Sequence, residues 1–182
     1  MKNVLKSAPL LALGLLLTAS LAHAQTGTPT GTTTVSVTIG PQAGLNITNS
    51  STPLTASGSN FNQFTGSTAM TYFVRTTTTG GGGSITVKVT SDFSPAGGPS
   101  VASPLTAADA LTYTCTVVSP GTACTGAQIA STGSQTNVAT FGTNVHTNSS
   151  GSTASVGWTL ANDPNYKTGT YNATMTFTIS AS

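Results

Sequence analysis

The sequence predicts an all-β protein, an antiparallel sandwich of roughly seven to nine strands, and three observations carry that expectation. Apolar and polar residues alternate with period two over several segments. Thr is the commonest residue and Glu is absent. Clusters of Gly, Pro and Asn separate the alternating segments. Alternation places every second side chain on one face of a pleated strand. Thr suits that geometry, and the scarcity of Glu, Lys and Arg removes good helix formers.

Residues 1–24 read as an export signal. Lys2 and Lys6 precede an apolar, Leu-rich run over residues 9–21, and Ala22-His23-Ala24 supplies a small-x-small cleavage pattern before Gln25. The run is short for a bilayer span, which takes about 20 residues. No second long apolar stretch follows, so no membrane insertion is expected after cleavage. Residues 25–33 are rich in Thr and Gly, contain a proline and lack apolar side chains, which reads as a flexible arm. Residues 34–182 are then expected to form a single sandwich domain.

Within that domain the first alternating segment pairs Val35, Val37 and Ile39 with Thr34, Ser36 and Thr38. Ile85, Val87 and Val89 repeat the pattern after the glycine run 80–83, where positive φ angles are tolerated. Leu111, Tyr113, Cys115 and Val117 share one face of a third segment, and Ala154, Val156, Trp158 and Leu160 one face of a fourth. In the last, Tyr171, Ala173, Met175, Phe177, Ile179 and Ala181 face one way, with Thr and Ser dominating the other face. Residues 45–48, 70–75, 127–131 and 138–141 give weaker strand signals, and residues 106–111 suggest a single helical turn.

Cys115 and Cys124 are the only cysteines, and in an exported chain they are expected to form a disulfide. A four-residue hairpin loop over residues 118–121 would set Cys115 directly opposite Cys124, with Cα atoms about 4.5–5.5 Å apart. The expectation is therefore a bridge within one hairpin.

After the signal, the charged residues are Arg75, Lys88 and Lys167 against Asp92, Asp109 and Asp163. So few cations cannot form the clustered basic surface that nucleic acid requires, nor a polybasic membrane patch. A near-neutral Thr/Ser/Asn surface favours association. Chemistry is thinly supplied: His146 is the one histidine beyond the signal and sits in a polar stretch. No common zinc ligand set, Gly-x-Ser-x-Gly elbow or paired carboxylate is evident. Catalytic, cofactor and metal sites are not expected, and Asn162-Asp163-Pro164-Asn165 reads as a turn in preference to a calcium loop. Trp158 shares the face of Val156 and Leu160 and reads as core. Tyr72, Phe73, Tyr113 and Tyr166 are the aromatics that a glycan-binding alternative would need exposed.

The terminal segment, with Gly169 fourteen residues from the end, then Tyr171 and the alternating Met175, Phe177 and Ile179, resembles the last strand of chaperone-usher fimbrial subunits and of spore-coat-U-like proteins. The segment Val35-Ser36-Val37-Thr38-Ile39, preceded by an arm, is similar to a pilin donor strand. Two features depart from the pattern: Ala181 stands where pilins usually carry a penultimate tyrosine, and Cys115 and Cys124 are closer than the usual pilin pair. The resemblance implies an Ig-like sandwich that assembles by strand addition. Function is accordingly expected to be structural, in an exported surface subunit that self-associates or joins other surface proteins, with an adhesion or glycan-binding module as the alternative.

Overall fold

The computed structural model describes residues 30–58 and 60–182. The expected signal, residues 1–24, and residues 25–29 of the expected arm lie outside the described residues. Thr38–Ser182 forms one compact unit, and residues 30–37 fall outside it.

Ten strands are present among the described residues, and they build two antiparallel sheets. The larger sheet has the order β1 (Gln42–Ile47), β3 (Phe64–Arg75), β9 (Ser152–Leu160), β5 (Thr112–Val117) and β7 (Gln128–Ile129), with β2 (Thr55–Ala56) also paired to β3. The smaller sheet has the order β10 (Asn172–Ala181), β4 (Gly83–Ser94), β8 (Thr136–Phe141) and β6 (Thr122–Ala123). A short 3-10 turn at Ala107–Asp109 is the helical turn expected there.

The principal strands follow an immunoglobulin-type path, in which the sheets are ordered A-B-E-D and C-F-G. Here β1-β3-β9-β5 takes the first four positions, and β4 and β10 take C and F. Beside β10, where the seventh strand would lie, no strand sits among the described residues.

The core is the common inner face of both sheets. Met70, Tyr72, Ile85, Val87, Tyr113, Val138 and Val156 are almost wholly buried. Trp158 lies among them, its ring 5.4 Å from Tyr113 and 6.4 Å from Phe177. Its Nε1–H donates to Thr68 Oγ1 at 2.9 Å, and Thr68 Oγ1 in turn lies 2.8 Å from Thr52 Oγ1. The indole thus buries its polar atom with a partner, the condition for a tryptophan in a core. Gly83 lets β10 close on β4, because a Cβ there would overlap the Ser180 carbonyl.

One point is left open by the sequence, and one expectation is corrected. Residues 34–41 form no ladder: pairing begins at Gln42, and Val35, Val37 and Ile39 are 91%, 82% and 67% exposed. Alternation marks an apolar face, but a strand also needs a partner edge, and this segment has none among the described residues. The cysteines do form a disulfide, with Cα atoms 5.5 Å apart, but not within a hairpin. β5 pairs with β7 and β9, whereas β6 pairs with β8 in the other sheet. Residues 118–121 therefore cross between sheets, and the disulfide staples one layer to the other. The Tyr72 hydroxyl fixes that crossing by donating to Val118 O and accepting Gly121 N–H at 3.0 Å.

Candidate assembly site

The sandwich has two long sides, and they are finished differently. On one, the disulfide joins β5 to Cys124, the residue that follows β6. On the other, β1 ends the larger sheet and β10 ends the smaller. These two strands approach within 8 Å at Cα without pairing.

The direction of the unpaired groups follows from the ladders. Ser182 N–H donates to Gly82 O at 2.8 Å and Gly82 N–H donates to Ser182 O at 3.2 Å. In an antiparallel pair such bonded positions alternate along the strand. Ser180, Thr178 and Thr176, opposite Ser84, Thr86 and Lys88, therefore turn their backbone groups toward β4. Met175, Phe177, Ile179 and Ala181 turn theirs to the open side. Likewise Thr48 N–H donates to Ala69 O at 3.0 Å, which leaves the backbone groups of Ala43, Leu45 and Ile47 outward on β1.

The same odd-numbered residues on β10 carry the apolar side chains, and these are incompletely covered. Along β10 the inward face is only half-buried at Met175, Phe177 and Ile179, whereas Ile85, Val87 and Val89 on adjacent β4 are essentially inaccessible. Leu45 and Ile47 on β1 are also half-buried. Toward the start of β10 the gap widens into a groove of about 930 Å³, whose walls include Leu54, Phe64, Trp158, Leu160, Met175 and Phe177. Among the described residues these outward backbone groups have no ladder partner, and such groups beside under-covered apolar side chains are the two components a further strand would satisfy.

Gly169 and Tyr171 line the groove and lie outside the strand itself. Tyr171 Oη donates to Lys167 O at 2.7 Å. Its ring occupies the space above Gly98, where a Cβ would overlap it. Lys167 N–H donates to Gly97 O at 2.8 Å, so the two loops that flank the start of β10 are tied together.

The remaining candidates serve their own loops. Asp92 accepts hydrogen bonds from Phe93 N–H, Val101 N–H, Ala102 N–H and Ser100 Oγ–H. Partial burial raises its pKa, but the bonds from Val101, Ser100, Ala102 and Phe93 outweigh that effect and hold the carboxyl below its ordinary value. Asp109 is buried and accepts from both the N–H and the hydroxyl of Thr106, closing the 3-10 turn. Asp163 Oδ1 accepts Asn165 N–H at 2.6 Å, a turn bond. His146 is exposed and forms an isolated bridge with Arg75. Of the aromatics a glycan platform would need, Tyr72 and Tyr113 are core residues. Tyr113 Oη lies 2.8 Å from both Thr136 Oγ1 and Asn137 O, with one proton to donate between them.

Among the described residues no helix is long and apolar enough to cross a membrane, and no group of three or more His, Cys, Asp or Glu is placed to hold a metal. Compared with family models, with curated proteins and with solved structures, the chain matches none.

Proposed function

We propose that this protein is an exported structural subunit, fimbria-like or coat-like, that assembles when the segment 35–39 of one copy adds as a strand to the free edge of β10 in another. The observation that carries this reading is the pairing of two incomplete features in one chain. β10 presents four outward-facing residues beside a half-covered apolar row, and Val35, Val37 and Ile39 present an exposed apolar row at the same two-residue spacing.

An added strand would bury its odd-numbered side chains over Phe177 and Met175 while its backbone bonds the odd-numbered residues of β10. It would then occupy the vacant seventh place of the immunoglobulin-type path. A strand bonded to β1 and β10 together would need about 9.5 Å between them. The two approach more closely than that at some positions, so addition to β10 alone is the arrangement that requires no separation of the sheets.

The chain enters β1 at the end of the sandwich where β10 finishes, because Gln42 lies opposite Arg75 and Thr77 N–H donates to Ser182 O at 3.0 Å. The wide part of the groove lies at the opposite end, near Asn172 and Met175. End-to-end stacking therefore runs the donated strand antiparallel to β10. A contact of this kind uses two different surfaces and, if its rotation does not close, continues as a filament.

The test compares the mature protein, residues 25–182, with a variant lacking residues 25–39, by light-scattering mass and negative-stain imaging. Large oligomers or filaments that vanish on truncation, leaving a folded monomer, are expected. A wild-type protein that remains monomeric at high concentration contradicts the proposal.

A further inference from the structure

Resting on that strand-addition reading, we propose that Arg75 is a positioning residue that holds the root of the arm away from its own groove and thereby commits the arm to a second copy. The alternative to be prevented is self-complementation. Residues 35–39 immediately precede β1, so a reversal at Gly40–Pro41 would return them along the open edge of their own domain.

The surroundings of Gly40 leave room for such a reversal. Among the described residues, no atom beyond its chain neighbours lies within 4 Å of where its Cβ would be, and glycine adopts the conformations a tight reversal needs. Pro41 offers no N–H to fix the chain. The restraint comes from the only arginine in the sequence. Arg75 Nε–H donates to Gly40 O at 2.9 Å, and Nη2–H donates to Gln42 Oε1 at 3.2 Å.

The side from which this guanidinium acts decides its effect. Arg75 ends β3, which pairs with β1 along the edge opposite the one facing β10. Its two bonds therefore draw the Gly40 carbonyl toward β3 and away from the β1/β10 gap. A planar fork can engage the backbone carbonyl and the side-chain amide together. A lysine in its place offers a single point of attachment and cannot bridge both acceptors from one nitrogen with the same geometry.

The experiment uses the mature protein as wild type, Arg75→Ala and Arg75→Lys. A synthetic peptide of residues 30–41 serves as the probe of groove occupancy. Light scattering gives the monomer fraction, and peptide titration into isolated monomer reports whether its groove is already filled. Arg75→Ala is expected to raise the monomer fraction about fivefold, the scale of a solvent-exposed charged contact, and its monomer should bind the peptide more weakly than an arm-deleted protein does. Arg75→Lys should fall between the two.

An arm-deleted Arg75→Ala protein should bind the peptide as the arm-deleted wild type does, which separates arm direction from loss of fold. Assembly of Arg75→Ala to the wild-type extent, with its monomer's groove still open to peptide, overturns this proposal alone. Failure of the wild type to assemble and of the arm-deleted protein to bind peptide overturns the strand-addition reading together with it.

Discussion

The two long sides of the sandwich solve the same problem in opposite ways. Where β5 passes to β6, a disulfide and the Tyr72 hydroxyl bind one sheet to the other across residues 118–121. Where β1 faces β10, neither a covalent bond nor a ladder joins the sheets, and the apolar row of Met175, Phe177 and Ile179 is only partly covered. An exposed strand edge is a liability that soluble proteins ordinarily blunt with charge, proline or a bulge. β10 is blunted only at its start, where its register with β4 shifts between Asn172 and Met175. From Met175 onward it is regular, long and uncharged. Under the proposed strand addition, the closed side supplies stability and the open one association.

Breaking the closed side should have the largest effect on the monomer. Replacing Cys115 and Cys124 together by Ala is expected to lower unfolding free energy by a little under ~3 kcal/mol, the chain-entropy value for so short a ring, measured by denaturant unfolding of the arm-deleted protein. Assembly through β10 should survive that change wherever the monomer remains folded.

Phe177→Ala sharpens the other half of the comparison. Because Phe177 is half-buried, its loss should cost about 1–2 kcal/mol, below the 3–5 kcal/mol typical of a fully enclosed phenylalanine. Binding of the residue 30–41 peptide should fall at the same time. A cost of core size with unchanged peptide binding would show that the row is already closed.

A smaller effect is expected from acid at the entrance to the groove. The Asp92 carboxyl is held below its ordinary value in the folded state, so its contribution is fully present above the unfolded value of about 3.9 and is lost as pH falls through the folded value. Protonation should release the 94–102 loop that Asp92 ties down. Asp92→Asn should reduce stability at neutral pH by ~1 kcal/mol and flatten the pH dependence of unfolding below about pH 4.

The smallest monomer effect belongs to the arm. Val37→Ser removes an exposed side chain and should change monomer stability by less than ~0.5 kcal/mol while reducing assembly. A large stability loss would place Val37 inside its own domain's packing.

What the sequence disclosed follows the same division. Trp158 and the strands around Val87, Val156 and Phe177 were legible because each buries alternate residues, and period-two patterning records that burial directly. The cysteine pairing was legible from the count, but its geometry was not. Four residues between β5 and β6 suit a hairpin loop as well as they suit a crossing between sheets, and only long-range contacts such as Tyr72 to Val118 decide between them. Of the three two-residue strands, β2 and β6 leave no period, and β7 only the weak signal over residues 127–131. The open edge was hidden for a different reason: β4 and β10 have equally clear alternation, yet one face is sealed and the other half-exposed. Coverage by a neighbouring layer is not written in a strand's own residues. For the same reason the alternation of Val35, Val37 and Ile39 leaves open whether they pair within their own domain or with a neighbour.

The most direct test of the central claim is residue-resolved amide hydrogen exchange of the arm-deleted protein, with and without the peptide of residues 30–41. Alternation of the ladder predicts that Thr176, Thr178 and Ser180 are already protected by β4, and that the peptide adds protection at Met175, Phe177, Ile179 and Ala181. Unchanged exchange at those four amides, or new protection confined to β6 and β7, would contradict strand addition at β10.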